Sequence, residues 1–236
     1  MYRSLDPARI VETGEGLQRR IGERFPDSGL SRVSAELVAV TREAGAILNW
    51  LARPHLWLRI FAGLGIAGML GLVIATLIGL GAKRDFSSTI AETLQGMDAA
   101  LNEIVFLGAA TFFLLTLENR LKRRRALAEI HVLRSLAHII DMHQLTKDPE
   151  RVGEREHDTA SSPKRSLTPF ELERYLDYCS EMLSLISKVA AVYVQRFDDP
   201  VTLSAVNEVE QLTNGLSRKI WQKIMIVDRI ASAETR

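Results

Sequence analysis

The chain has 236 residues, with 30 Lys and Arg against 29 Asp and Glu, and a formal net charge of +1. That balance offers no global attraction to nucleic acid, and one cysteine, Cys179, excludes an intrachain disulfide and a cysteine-based zinc site. Hydrophobic residues make up 47% and charged residues 25%, because very apolar segments are averaged with very charged flanks.

Residues 1–54 predict two helices. The first runs from Asp6 to Arg24 and ends before Phe25-Pro26. The second opens at Asp27 or Ser28 and stops before Pro54, since proline cannot continue the hydrogen-bond ladder. Its apolar positions, Leu30, Val33, Leu37, Val40, Ala44, Ile47 and Leu51, alternate three-four spacing and make one stripe for a partner helix. The partner is either another helix of the same chain or a second copy. This region is too polar for a signal peptide, which leaves the next segment as the targeting element.

From Ile60 to Ala82 no charged side chain occurs in 23 positions. At about 1.5 Å per residue this run is long enough for a hydrocarbon core of about 30 Å, so a first transmembrane helix is expected over 57–82. Within it Gly63, Ala67, Gly71, Ala75 and Gly79 recur at every fourth position. Such a flat ridge lets another helix approach backbone to backbone. It either packs the second span of the same chain or joins protomers, and the second use is preferred, because a two-helix hairpin buries little by itself.

Residues 83–98 form a short external loop with an amphipathic turn. Thr89 and Glu92 fit a capping box, and Phe86, Ile90, Leu94 and Met97 share a face suited to outer headgroups. A second span is expected over 99–117. Its polar side chains are few: Glu103 at the outer interface, with Asn102, Thr111 and Thr116. In an assembly, Glu103 with Asn102 and Thr111 would form a cation-attracting pore mouth.

Basic residues set the orientation. Arg42, Arg53 and Arg59 precede the first span, and Arg120, Lys122, Arg123, Arg124, Arg125 and Arg134 follow the second. The connection offers only Lys83 and Arg84, beside three acids. The bias predicts a multi-pass protein of the inner (plasma) membrane with both termini cytoplasmic. The run Lys122-Arg123-Arg124-Arg125 is read as an orientation signal that also touches anionic lipid headgroups.

Residues 118–146 predict a cytoplasmic helix. His131, Arg134, His138 and Asp141 share one face of it, beside an apolar face of Ile130, Leu133, Ala137 and Ile140. His131 and His138 lie about 10 Å apart along a straight helix, too far to share one ion. The polar face is therefore read as a seam against another helix, and no metal site is assigned. Residues 147–167 are charged and turn-rich and read as a flexible linker. Residues 168–231 predict a helical hairpin, started by the Thr168-Pro169-Phe170-Glu171 capping box and restarted at Asp199-Pro200. Its first helix places Leu172, Leu176, Cys179, Leu183 and Ile186 on one stripe, which makes Cys179 a small buried side chain.

No phosphate-cradling glycine loop, nucleophile elbow or His-Glu-x-x-His helix occurs. No enzyme activity and no cofactor are expected. The stretch RSLAHIIDMHQLTKDP, Arg134 to Pro149, resembles a family of uncharacterised bacterial two-span membrane proteins. Two close spans followed by a long cytoplasmic helix also look like the two-span effectors of bacterial antiviral systems, a likeness that implies membrane permeabilisation. The structured N-terminal region departs from that pattern.

Together these readings give an all-α integral membrane protein with two transmembrane helices and a cytoplasmic helical, coiled-coil region. The leading expectation is a homo-oligomer in membrane lipid that forms a pore or ion path gated by its cytoplasmic helices. The rival is a membrane-anchored scaffold that presents its helical hairpin to a cytoplasmic protein partner.

Overall fold

The computed structural model describes residues 4–82, 90–147, 149 and 167–234, and these are helical with no strand among them. Six helices follow in order: α1 (Pro7–Arg24), α2 (Gly29–Ala52), α3 (Leu56–Ala82), α4 (Ile90–Leu145), α5 (Pro169–Arg196) and α6 (Pro200–Glu234). They divide into two compact units. One comprises the chain up to Ala52 and from Arg125 onward; the other is Arg53–Arg124.

Three of the four helix starts in the first unit follow one local rule. Asp6, Thr168 and Asp199 each stand before a proline, whose missing N–H is no loss in a first turn. Asp6 accepts from the Ala8 N–H at 3.0 Å, and Asp199 from the Thr202 N–H at 2.9 Å. Thr168 and Glu171 close a reciprocal capping box. The α1–α2 turn contains Asp27 at φ 58°, a left-handed conformation that aspartate tolerates better than most residues.

Helix α5 is the centre of this unit. Its buried residues Leu176, Cys179, Leu183, Ile186 and Ala190 form one stripe, and Tyr178, Leu185, Val189 and Val192 widen it to about half of the circumference. An apolar face that wide needs more than one helix to cover it. Here α1, α2 and α6 pack against it, and the end of α4 adds Ile130, Leu133, Ala137 and Ile140 to the same core. At about 1.5–3 kcal/mol per fully buried large apolar side chain, this core is the unit's main source of stability. Gly14 marks a close approach, since a Cβ there would meet Leu185 Cδ2 at 3.1 Å.

The stripe read on α2 is satisfied inside the chain. Leu30, Leu37, Val40, Ala44, Ile47 and Leu51 are buried in the core, so it needs no second copy. Polar links tie the periphery together. Arg20 makes a two-point bond to Glu181, Phe25 packs edge-on to Tyr175, and Lys223 donates from Nζ to the Gln144 and Lys147 carbonyls at the end of α4.

In the second unit, α3 and the first part of α4 form an antiparallel pair. Arg59 meets Glu118, and Gly65 lies against Leu114, where a Cβ would come within 3.0 Å of its Cδ1. Both helices are long and apolar enough to cross a membrane. Residues 90–98, expected as part of an external loop, belong to α4, which runs unbroken for 56 residues because it contains no proline. The proposed Thr89–Glu92 cap, and most of the 147–167 linker, lie outside the described residues.

Candidate functional site

The apolar pair is the region whose surface demands an explanation. Its seam is built at three-four spacing by Ala62, Gly65, Ile66, Met69 and Val73 on α3, and by Glu103, Leu107, Ala110, Leu114 and Leu117 on α4. Outside the seam, Ile60, Phe61, Leu64, Leu72, Ile78, Ile104, Phe106 and Phe112 are all exposed. So extensive an uncovered apolar surface is foreign to a soluble monomer.

The small-residue ridge is not the seam. Gly63, Ala67, Gly71 and Ala75 are exposed, and a Cβ at Gly63 or Gly71 would touch nothing within 4 Å. Gly79 lies where side-chain surroundings are not described. Packing of the ridge on the second apolar helix of the same chain is thus excluded for the four described positions. The close approach to α4 is made instead by Gly65, one face away.

The polar residues named for a pore mouth do not share a face. Asn102 is exposed, whereas Glu103 and Thr111 are half-buried on the seam side. Thr116 turns its hydroxyl back to the Phe112 and Phe113 carbonyls. No continuous polar track appears among the described residues of the pair.

The charged end of the pair is highly organised. Glu118, with 12% of its side chain exposed, accepts from Arg59 Nε at 2.8 Å, Lys122 Nζ at 3.0 Å and the His55 N–H at 3.2 Å. Burial alone would raise the carboxyl pKa, but the bonds from Arg59, Lys122 and His55 outweigh it and hold Glu118 at about 2. This clasp ties the first turn of α3 to α4. It also corrects the reading of Lys122 as a headgroup contact: only 9% of its side chain is exposed, and it is committed to Glu118. Arg124 is exposed, Arg123 is half-buried, and Arg125 pairs with Glu129 at 3.2 Å. The clasp was visible in outline in the sequence, because Glu118 is the lone acid within 53–59 and 118–125.

In the first unit, the polar row is an outer face rather than a seam. His131, Arg134 and His138 are exposed, and Asp141 is half-buried, accepting from Gln144 Nε2 at 2.6 Å. Arg134 alone reaches another helix, at Glu208 on α6, 3.1 Å away. The apolar neighbours Ile130, Leu133, Ala137 and Ile140 take the inside, which turns this row outward. No three potential metal ligands come together among the described residues. His143 is half-buried, and its ring lies against Gly29 at the start of α2. Burial, then Arg32 and Lys147, lower its pKa below the ordinary value. Cys179 is fully buried, and burial pushes its thiol up to about 12, far from a reactive thiolate.

No family model, curated protein or solved structure matches this chain.

Proposed function

We propose that the chain is a membrane-anchored helical scaffold. Helix α3 and the first part of α4 cross the inner membrane, both termini lie in the cytoplasm, and copies associate through the ridge at Gly63, Ala67, Gly71 and Ala75. The observation that carries this reading is the contrast between the two units. The bundle around α5 closes its own core, whereas the α3–α4 pair exposes large apolar side chains and turns Glu103 and Thr111 toward its seam. A pair of that kind suits lipid on its outside and supplies little for a hydrated path. The bundle then serves as the part displayed to a cytoplasmic protein partner.

Ion permeation is the second reading. It is favoured by the open ridge, which suits close helix association between copies.

Alkaline carbonate extraction followed by native mass spectrometry of the full chain in detergent tests both. The scaffold reading expects retention in the membrane fraction, a small oligomer, and no ion flux in liposomes. Gly71→Ile should yield monomers with an intact fold, because a side chain there meets nothing in its own chain. A carbonate-soluble protein would overturn the membrane reading. A closed ring of four or more chains with flux that Glu103→Gln alters would replace the scaffold by the pore.

A further inference from the structure

The charged end of the α3–α4 pair has cations beyond those the clasp consumes. Because Arg59 on α3 meets Glu118 on α4, the basic residues flanking both helices converge at one end of the pair, although some sixty positions separate them in the sequence. Among residues 53–59 and 118–124 there are six Arg and Lys and one acid, Glu118. That acid is saturated by Arg59, Lys122 and the His55 N–H, so it neutralises nothing further. Arg53 and Arg124 are exposed, and Arg120 is exposed with its guanidinium 5.3 Å from the Phe113 ring centroid. Trp57, 67% exposed, stands in the first turn of α3, where the apolar surface begins.

An indole beside arginines, at the boundary between a charge-free surface and a charged one, has the chemistry of a bilayer interface. The aromatic body sits at headgroup depth, and the stacked guanidinium of Arg120 extends outward from the Phe113 ring. We propose that Arg53, Arg120 and Arg124 form a collar that binds the phosphates of anionic phospholipids, with Trp57 fixing its depth. The selectivity is for headgroup charge: the collar prefers an anionic lipid to a zwitterionic one in the surrounding layer. Glu118 contributes indirectly, by drawing Arg59 and Lys122 inward and holding the two helix ends together. The inference rests on the membrane reading above and adds a lipid class and three residues to it.

The test uses the full chain in nanodiscs doped with pyrene-labelled phosphatidylglycerol or pyrene-labelled phosphatidylcholine, read by tryptophan-to-pyrene energy transfer. Each arginine near an anionic surface is worth about a fivefold preference, so the three together give about a hundredfold at low salt. Arg53→Gln/Arg120→Gln/Arg124→Gln should abolish the preference while keeping the helical content and the clasp. Raised salt should weaken the wild-type preference. Equal transfer to both lipids in the wild type, or an unchanged preference in the triple variant, overturns the collar while leaving insertion standing. Loss of the preference on adding inorganic phosphate alone would make the collar a free-phosphate site and equally overturn the proposal. Failure to enter nanodiscs at all would bring down the membrane reading together with it.

Discussion

Replacing Glu118 by Gln isolates the contribution of the clasp. The substitution keeps the side chain's shape and one acceptor, but removes the charge that Arg59 and Lys122 share. The two arms differ in value. Arg59 is 62% exposed and its pairing is screened, worth at most about 1 kcal/mol. Lys122 is nearly buried, so the variant leaves an ammonium without its carboxylate, a situation that costs about 3–5 kcal/mol when burial is complete. A carboxyl pKa lowered from 4.5 to about 2 corresponds to about 3 kcal/mol before screening of the exposed arm. Allowing for that screening, we expect a loss of about 2 kcal/mol. The assay is hydrogen exchange of the first turn of α3 in detergent, where local opening should become about 30-fold more frequent. Glu118→Gln/Lys122→Met should recover more than half of the loss, because the orphaned charge is gone. The sign with pH is fixed by the lowered pKa: the contribution is complete above the ordinary value of 4.5 and is lost as pH falls toward about 2. Protection unchanged in Glu118→Gln, or a contribution that disappears between pH 7 and 6, would refute the reasoning.

Three further outcomes follow from the bundle. Leu183→Ala removes a fully buried side chain beside the central axis and should cost about 2–5 kcal/mol by denaturant unfolding, against less than about 0.5 kcal/mol for His131→Ala on the outer face. His143 has its pKa lowered by burial, so neutral imidazole is favoured in the fold. Stability should be complete above about pH 6.5 and fall below it, and His143→Gln should flatten that slope in thermal melts between pH 5 and 7. Cys179, with its thiol pushed up to about 12, should resist maleimide in the native protein at pH 7.5 and react on unfolding; rapid native labelling would contradict its burial.

How far the sequence could be read depended on whether the decisive interaction was local. The starts of α1, α5 and α6 were legible, because a capping side chain followed by proline is complete within four residues. The stripe on α2 was equally legible as a pattern, but periodicity names a face and not its occupant. Whether Leu37 and Ala44 meet α5 or another copy depends on residues more than a hundred positions away. That residues 90–98 are continuous with α4 was not legible for a different reason. Hydropathy changes there, but nothing in 90–145 breaks the backbone ladder, so α4 passes through without interruption.

The small-residue ridge shows how a shared spacing conceals a choice between faces. Gly63, Ala67, Gly71 and Ala75 repeat every four residues, whereas the seam through Ala62, Ile66, Met69 and Val73 alternates four and three. Strict four-residue spacing drifts around a helix of 3.6 residues per turn, while the alternating pattern stays on a straight contact line. The internal partner therefore takes the alternating face, and the strict-four ridge is left outward with its glycines uncovered. The same geometry explains the row at His131, Arg134 and His138: it follows an alternating line, but the adjacent line through Ile130, Leu133, Ala137 and Ile140 is apolar and takes the inside. Where two lines compete on one helix, hydrophobic burial decides which is internal, and the other is free for whatever lies outside the chain. For the ridge on α3 that outside is a second copy in the reading proposed above. Gly71→Ile is the sharper test of it, because the matched Gly65→Ile should damage the hairpin itself by driving into Leu114.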